Sequence, residues 1–154
     1  MRQGFALLQE AESVRNLMRD SIHAIRGMRF VSTEGDTVFS LGSIGTEKAM
    51  KILLGCRAVE DDGAWPTKGE LQRWGHDVED LSTRVRAAIE MGIGRISSRD
   101  YSARLAEQIE QSTVIPLLFA AFARYGKSGR FHHLNILATD EPGDLDQPSE
   151  YWER

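Results

Sequence analysis

Apolar residues along this chain of 154 residues recur at three- and four-residue steps, and no stretch shows strand-like alternation. In the first long segment, residues 3–28, Leu7, Ala11, Val14, Met18, Ile22 and Ile25 mark one helical face. Gly27 and the Phe30-Val31-Ser32 stretch mark its end. Thr33 or Asp36 can cap a second helix, which runs to about Gly55 with Val38, Leu41, Gly45, Ala49, Ile52 and Leu53 on one side. Gly42 and Gly45 lower intrinsic helicity there, but together with Ala49 they let another helix approach closely.

Residues 57–69, RAVEDDGAWPTKG, read as a loop, with three consecutive acids followed by Gly63, Pro66 and Gly69. ELQRW adds a short helical turn. Asp77 then caps a third helix carrying Val78, Leu81, Val85, Ala88 and Ile89, which Gly92 and Gly94 end. A fourth helix starts near Arg99 with Tyr101, Leu105 and Ile109 inward. Pro116 either kinks it or opens a separate helix at its first turn, where a missing N–H costs little. The helix continues to Tyr125, and a short fifth one covers about Arg130 to Ala138. The pattern predicts an all-α fold, an antiparallel four- to five-helix bundle over residues 1–138, with an acidic tail over 139–154.

Composition narrows the class. A hydrophobic content of 41% is ordinary for a folded globular domain, which excludes disorder as the default. No apolar run approaches the ~20 residues of a membrane span. The N-terminal stretch lacks a leader pattern and there is one cysteine, so a cytoplasmic protein is expected, with no membrane partner and with Cys56 a buried thiol. The net charge of −4 is unevenly placed. The tail, TDEPGDLDQPSEYWER, holds six acids and one base, and it follows closely on the densest basic stretch, RYGKSGRFHH at 124–133. Tyr151 and Trp152 near its end predict that the tail folds back on its own body or on a partner chain, with Trp152 as the anchor, and over the basic stretch it would screen that stretch from nucleic acid; the alternative is a flexible solubility tail.

One charge is out of place. Lys48 lies one turn from Ile44 and from Ile52, on the apolar side of the second helix, and a lysine there needs a partner. Glu47 and Lys51 form a surface pair four residues apart. With the second and third helices antiparallel, Asp77 is the first-choice carboxylate for Lys48 or Lys51, and Glu79 or Asp80 could also supply it. The expected role is a structural brace.

Glu47-Lys48-x-x-Lys51 followed by Trp74-Gly75-His76-Asp77-x-x-x-Leu81 resembles the paired signature of HEPN-type helical domains, an "EKxxK" helix before a "GHDxxxL" helix start. The resemblance covers roughly residues 35–81 and places Glu47, Lys48, Lys51, His76 and Asp77 in a structural ion-pair set. It implies a compact helical bundle, frequently dimeric. Many members are ribonucleases or RNA-binding modules of toxin–antitoxin, defence and RNA-processing systems, and some pair with a nucleotidyltransferase-type partner. Ribonuclease members carry an Arg, four to six residues, and a His. Here Arg124 and His132 are separated by seven residues and Arg130 and His133 by two. Lys127 and His132 have a spacer of four, but with Lys in place of Arg. That departure places the chain nearer the non-catalytic branch.

The residues of the basic stretch support a related reading on their own chemistry. Arg124, Lys127 and Arg130 can hold phosphates, Tyr125 and Phe131 can stack on bases, and His132 and His133 can move protons near neutral pH. Arg130, His132 and His133 are therefore the candidate catalytic set, and Arg124, Tyr125, Lys127 and Phe131 the candidate RNA-binding set. The competing reading is a solvated turn in which Phe131, Leu134 and Ile136 or Leu137 tether the last helix. His23 is expected at the surface. No metal or cofactor is expected: the two adjacent histidines are not one turn apart, there is no HExxH or cysteine pair, and Gly92-Ile93-Gly94 lacks the strand and third glycine of a phosphate loop. The functional expectation is an RNA-associated module, a weak or lapsed ribonuclease. The alternative is a non-enzymatic interaction protein acting as a homodimer or partner subunit. IPLLFAAF offers more apolar side chains than one face can bury, so a homodimer through Leu117, Phe119 and Phe122 is expected.

Overall fold

A computed structural model of the chain describes residues 2–92, 98–127 and 129–139. These residues are helical apart from short links, and no strand occurs among them. The elements are α1 (Arg2–Gly27), α2 (Val31–Asp62), α3 (Lys68–Arg73), α4 (Val78–Gly92), α5 (Arg99–Gln111), α6 (Val114–Lys127), a 3-10 turn (Gly129–Phe131) and α7 (His132–Thr139). No described helix is long and apolar enough to cross a membrane.

At 32 residues, α2 is the spine of the molecule, about 48 Å long at 1.5 Å per residue. It touches α1, α4 and α6. Its extent differs from the expected end at Gly55. The acidic run continues the helix because Arg57 donates to Asp61 at 2.7 Å and to Glu60 at 3.3 Å, which are pairs one turn apart. Gly63, at φ 73°, supplies the left-handed C-cap, and its N–H donates to the Val59 carbonyl. The loop is thereby shortened to residues 63–67. Thr67 and Glu70 close it with a reciprocal capping box at the start of α3.

Contacts fix the sense of each helix. Ser21 donates to the Val38 carbonyl and Lys48 to Ser13, so α1 runs antiparallel to α2. Ser40 meets Tyr125, and Gly42 lies against Phe122, so α6 is antiparallel as well. By contrast, α4 runs in the same sense as α2. His76, at its start, meets Glu47, and Gly92, at its end, lies beside Arg57. The expected antiparallel pairing fails here because the loop and α3 carry the chain back along α2 before α4 begins.

The core forms where α2, α4 and α6 meet: Phe39, Met50, Val78, Leu81, Ala121, Phe122, Ala123 and Tyr125. Phe39 meets Phe122 edge-on at 6.5 Å and stacks on Tyr125 at 5.7 Å. The small residues of α2 allow these approaches, since a Cβ on Gly42 would stand 2.3 Å from Phe122 Cζ. Pro116 lies in the first turn of α6, a separate helix from α5, and Ser112 accepts from the Ile115 N–H.

Three further expectations change. Tyr101, Leu105 and Ile109 are not inward: they are 60%, 41% and 38% exposed, and α5 contains no buried residue. Of the expected dimer residues, Phe122 is core and Phe119 packs against it, while Leu117 remains exposed. Cys56 is exposed rather than buried. The tail prediction, including Trp152, lies outside the described residues.

Candidate functional site

The two motif segments come together at the start of α4. His76 occupies the link between α3 and α4, after Gly75, whose φ of 69° makes the turn that only glycine adopts without strain. Its Nδ1 lies 2.8 Å from Glu47 Oε1. A carboxylate only accepts, so the imidazole proton sits on Nδ1 and Nε2 is the unprotonated nitrogen of the neutral ring. Lys51 Nζ donates to the same oxygen at 2.8 Å. The Glu47 and Lys51 side chains are about one-fifth exposed, whereas that of His76 is 83% exposed. The result is a surface imidazole held at its base by a partly sheltered ion pair.

Neither lysine of the expected brace reaches Asp77. Lys48 extends to α1, where it pairs with Glu10 at 2.7 Å and donates to Ser13 at 3.0 Å. Glu10 was missed because local spacing does not say which neighbouring helix faces a given stripe. The short link between α1 and α2, only residues 28–30, was the usable signal, since it forces those two helices side by side.

Asp77 does two other jobs. Its Oδ1 accepts from the backbone N–H groups of Glu79 and Asp80, capping α4. Its Oδ2 pairs with Lys127 Nζ at 2.5 Å, which ties the end of α6 to the start of α4. Burial alone would push the Asp77 carboxyl up. The hydrogen bonds from Lys127 and the two amides, with the Lys127 charge, outweigh burial and hold it below the usual carboxylate range. Lys127 is raised, chiefly by its hydrogen bond to Asp77.

The signs fix a pH dependence. A depressed Asp77 contributes stability above the carboxylate range that is lost as pH falls through its lowered value. A raised Lys127 contributes stability below the ammonium range that is lost as pH climbs through its raised value. Asp77→Ala should therefore cost most between about pH 5 and 9. The cost there is about 1–2 kcal/mol, mostly the lost cap, because the exposed lysine screens the pair. Asp77→Asn, which keeps the cap, should lose less than half of that. Urea unfolding of both variants at pH 3, 7 and 10 measures the difference.

Of the candidate RNA-binding residues, Tyr125 is corrected. It is 3% exposed, stacked on Phe39, and its hydroxyl lies 2.7 Å from Ser40 Oγ. That phenol packs the core and offers no face to a base. Lys127 is bound to Asp77. Arg124 is half-buried, while Arg130 and Phe131 are exposed on the 3-10 turn. His132 and His133 open α7, and their side chains lie outside the described residues. Among the described residues no group of three His, Cys, Asp or Glu is placed to hold a metal ion. The site thus combines Glu47, Lys51 and His76 with the Asp77–Lys127 tether, from which the turn bearing Arg130 and Phe131 extends. No family model, curated protein or solved structure matches this chain.

Proposed function

We propose that the chain is an RNA-associated helical module of HEPN-like type, a lapsed ribonuclease that binds RNA through the turn at 129–131 as part of a toxin–antitoxin or defence system. The observation that carries this reading is the contact between the two motif segments, His76 to Glu47 at 2.8 Å. The Asp77–Lys127 pair extends the same polar cluster to the basic stretch. Binding rather than cleavage follows from the engagement of Lys127: the one base at a four-residue spacing from His132 is already paired with a carboxylate. Arg130 supplies charge for a phosphate and Phe131, 57% exposed, supplies a ring for a base.

The test is RNA binding by the full chain at two salt concentrations. Arg130→Ala should weaken binding and lower the salt slope by about one. Phe131→Ala should cost about 1–3 kcal/mol of affinity with the slope unchanged. No binding by the wild type at low salt overturns the reading, and RNA cleavage that survives removal of trace nucleases overturns its lapsed character.

A second reading has its own observation. The uncovered apolar side of α5 favours an interaction protein, acting as a homodimer or as the subunit of a nucleotidyltransferase-type partner.

A further inference from the structure

A neutral imidazole has one donor nitrogen and one acceptor nitrogen, and the partner of the first decides the role left to the second. His76 Nδ1 and Lys51 Nζ both donate to Glu47 Oε1, each at 2.8 Å. The carboxylate fixes the tautomer and, with it, the orientation of the ring. Nε2 is therefore an acceptor, carried on a side chain that stands in solvent. Such a nitrogen takes a hydrogen-bond donor and gains nothing from a group that only accepts.

We infer that His76 reads the ribose 2′-hydroxyl of a bound strand through Nε2, and so selects RNA over DNA. The inference rests on the RNA-binding reading above and deepens it from a contact with nucleic acid to a choice of sugar.

Placement and charge select this group. His76 directly precedes Asp77, whose Oδ2 pairs with Lys127, and the turn Gly129–Phe131 begins just beyond Lys127. The imidazole and the turn thus stand at opposite ends of one ion pair. At the turn, Arg130 holds a phosphate and Phe131 a base, which leaves the sugar between them as the part of the strand without a partner. Around His76 a phosphate is disfavoured. Glu47, Asp77, Glu79 and Asp80 are its neighbours in space or in the chain, and the bases beside them, Lys51, Lys127 and Arg84, are already bound to Glu47, Asp77 and Asp80. The backbone N–H groups of Glu79 and Asp80, which would otherwise attract an anion to the start of α4, are taken by the Asp77 carboxylate. An acceptor nitrogen in an acidic setting suits a neutral donor. The 2′-hydroxyl is such a donor, it is present at every nucleotide of RNA, and DNA lacks it.

The experiment measures binding of the full chain, at low salt, to single strands of one uracil-containing sequence made as RNA, as DNA and as 2′-fluoro RNA. Wild type, His76→Ala and Arg130→Ala are compared. The fluoro strand keeps the phosphates and a ribose-like pucker but has no hydroxyl to donate. Wild type should bind RNA about three- to tenfold more tightly than either other strand, the fold-change of one net hydrogen bond. In His76→Ala that preference should fall below about twofold. Arg130→Ala should weaken all the strands alike and keep the preference, since every one of them carries the phosphate. His76 is exposed, so its truncation leaves the core alone, and the comparison of RNA with the fluoro strand needs no variant. RNA bound no more tightly than 2′-fluoro RNA, or a preference that survives in His76→Ala, overturns the role of His76 and leaves the RNA-binding reading standing. No binding of RNA by the wild type overturns both.

Discussion

Phe122→Ala should cost about 3–5 kcal/mol of folding stability. Phe122 is 2% exposed and packs edge-on to Phe39, against Gly42, at the meeting of α2 and α6. Truncation removes the ring's burial and leaves a void that two rigid helices close poorly. Domains of this size are commonly stable by about 5–15 kcal/mol, so this one residue carries about a fifth of the margin or more. Urea unfolding should show a lower midpoint with an unchanged slope. A loss below about 1 kcal/mol would show that the packing of α6 on α2 is not what closes the core.

Gly42→Ala should destabilise by about 1–2 kcal/mol, although alanine is the better helix former by about 1 kcal/mol. The two effects oppose, and geometry decides between them. A Cβ at Gly42 would stand 2.3 Å and 2.7 Å from ring atoms of Phe122 and 2.9 Å from Ser21 Oγ. The ring belongs to the core and the hydroxyl is engaged with the Val38 carbonyl, so neither can yield cheaply. The decisive measurement is a double-mutant cycle. In a Phe122→Ala background the clash is gone, and Gly42→Ala should become neutral or stabilising. Gly69→Ala provides the control. Nothing lies within 4 Å of its added methyl, so only the propensity gain of about 0.5–1 kcal/mol should appear. If Gly42→Ala costs the same in both backgrounds, the close approach of α2 and α6 is not its cause.

Much of the fold was legible as periodicity. The apolar steps located α1 and α4 to within a few residues, because a three- and four-residue rhythm is the direct imprint of a helix lying on something, while at Pro116 they left open whether α6 was a separate helix. What it lay on was less legible. The acids at 60–62 read as a loop by composition, but Arg57 one turn earlier turns them into helix-stabilising pairs. Tyr101, Leu105 and Ile109 gave a sound helix and a false burial, since rhythm reveals that a face is apolar and not which molecule covers it. Phe39 and Met50 were absent from the expected face of α2, because a central helix is covered on more than one side. At the site, Glu47 with Lys51 could be read from a four-residue interval. Lys48 with Glu10 and Lys127 with Asp77 join residues far apart in the chain, and only the senses in which the helices run decide such pairs.

The arrangement of α1, α4 and α6 around α2 also has a consequence in time. α1 and α2 are joined by three residues and dock by closing a short loop, so they can pair as soon as both exist. The contact between Ser40 and Tyr125 spans 85 residues. During synthesis at roughly 5–20 residues per second, the inner face of α2 therefore waits several seconds for α6 to be made. Throughout that interval Phe39 lacks the helix that will cover it, and the nascent chain is at its most adhesive. The last core helix to leave the ribosome is the one that ends this exposure, and any process that stalls translation before residue 125 prolongs it.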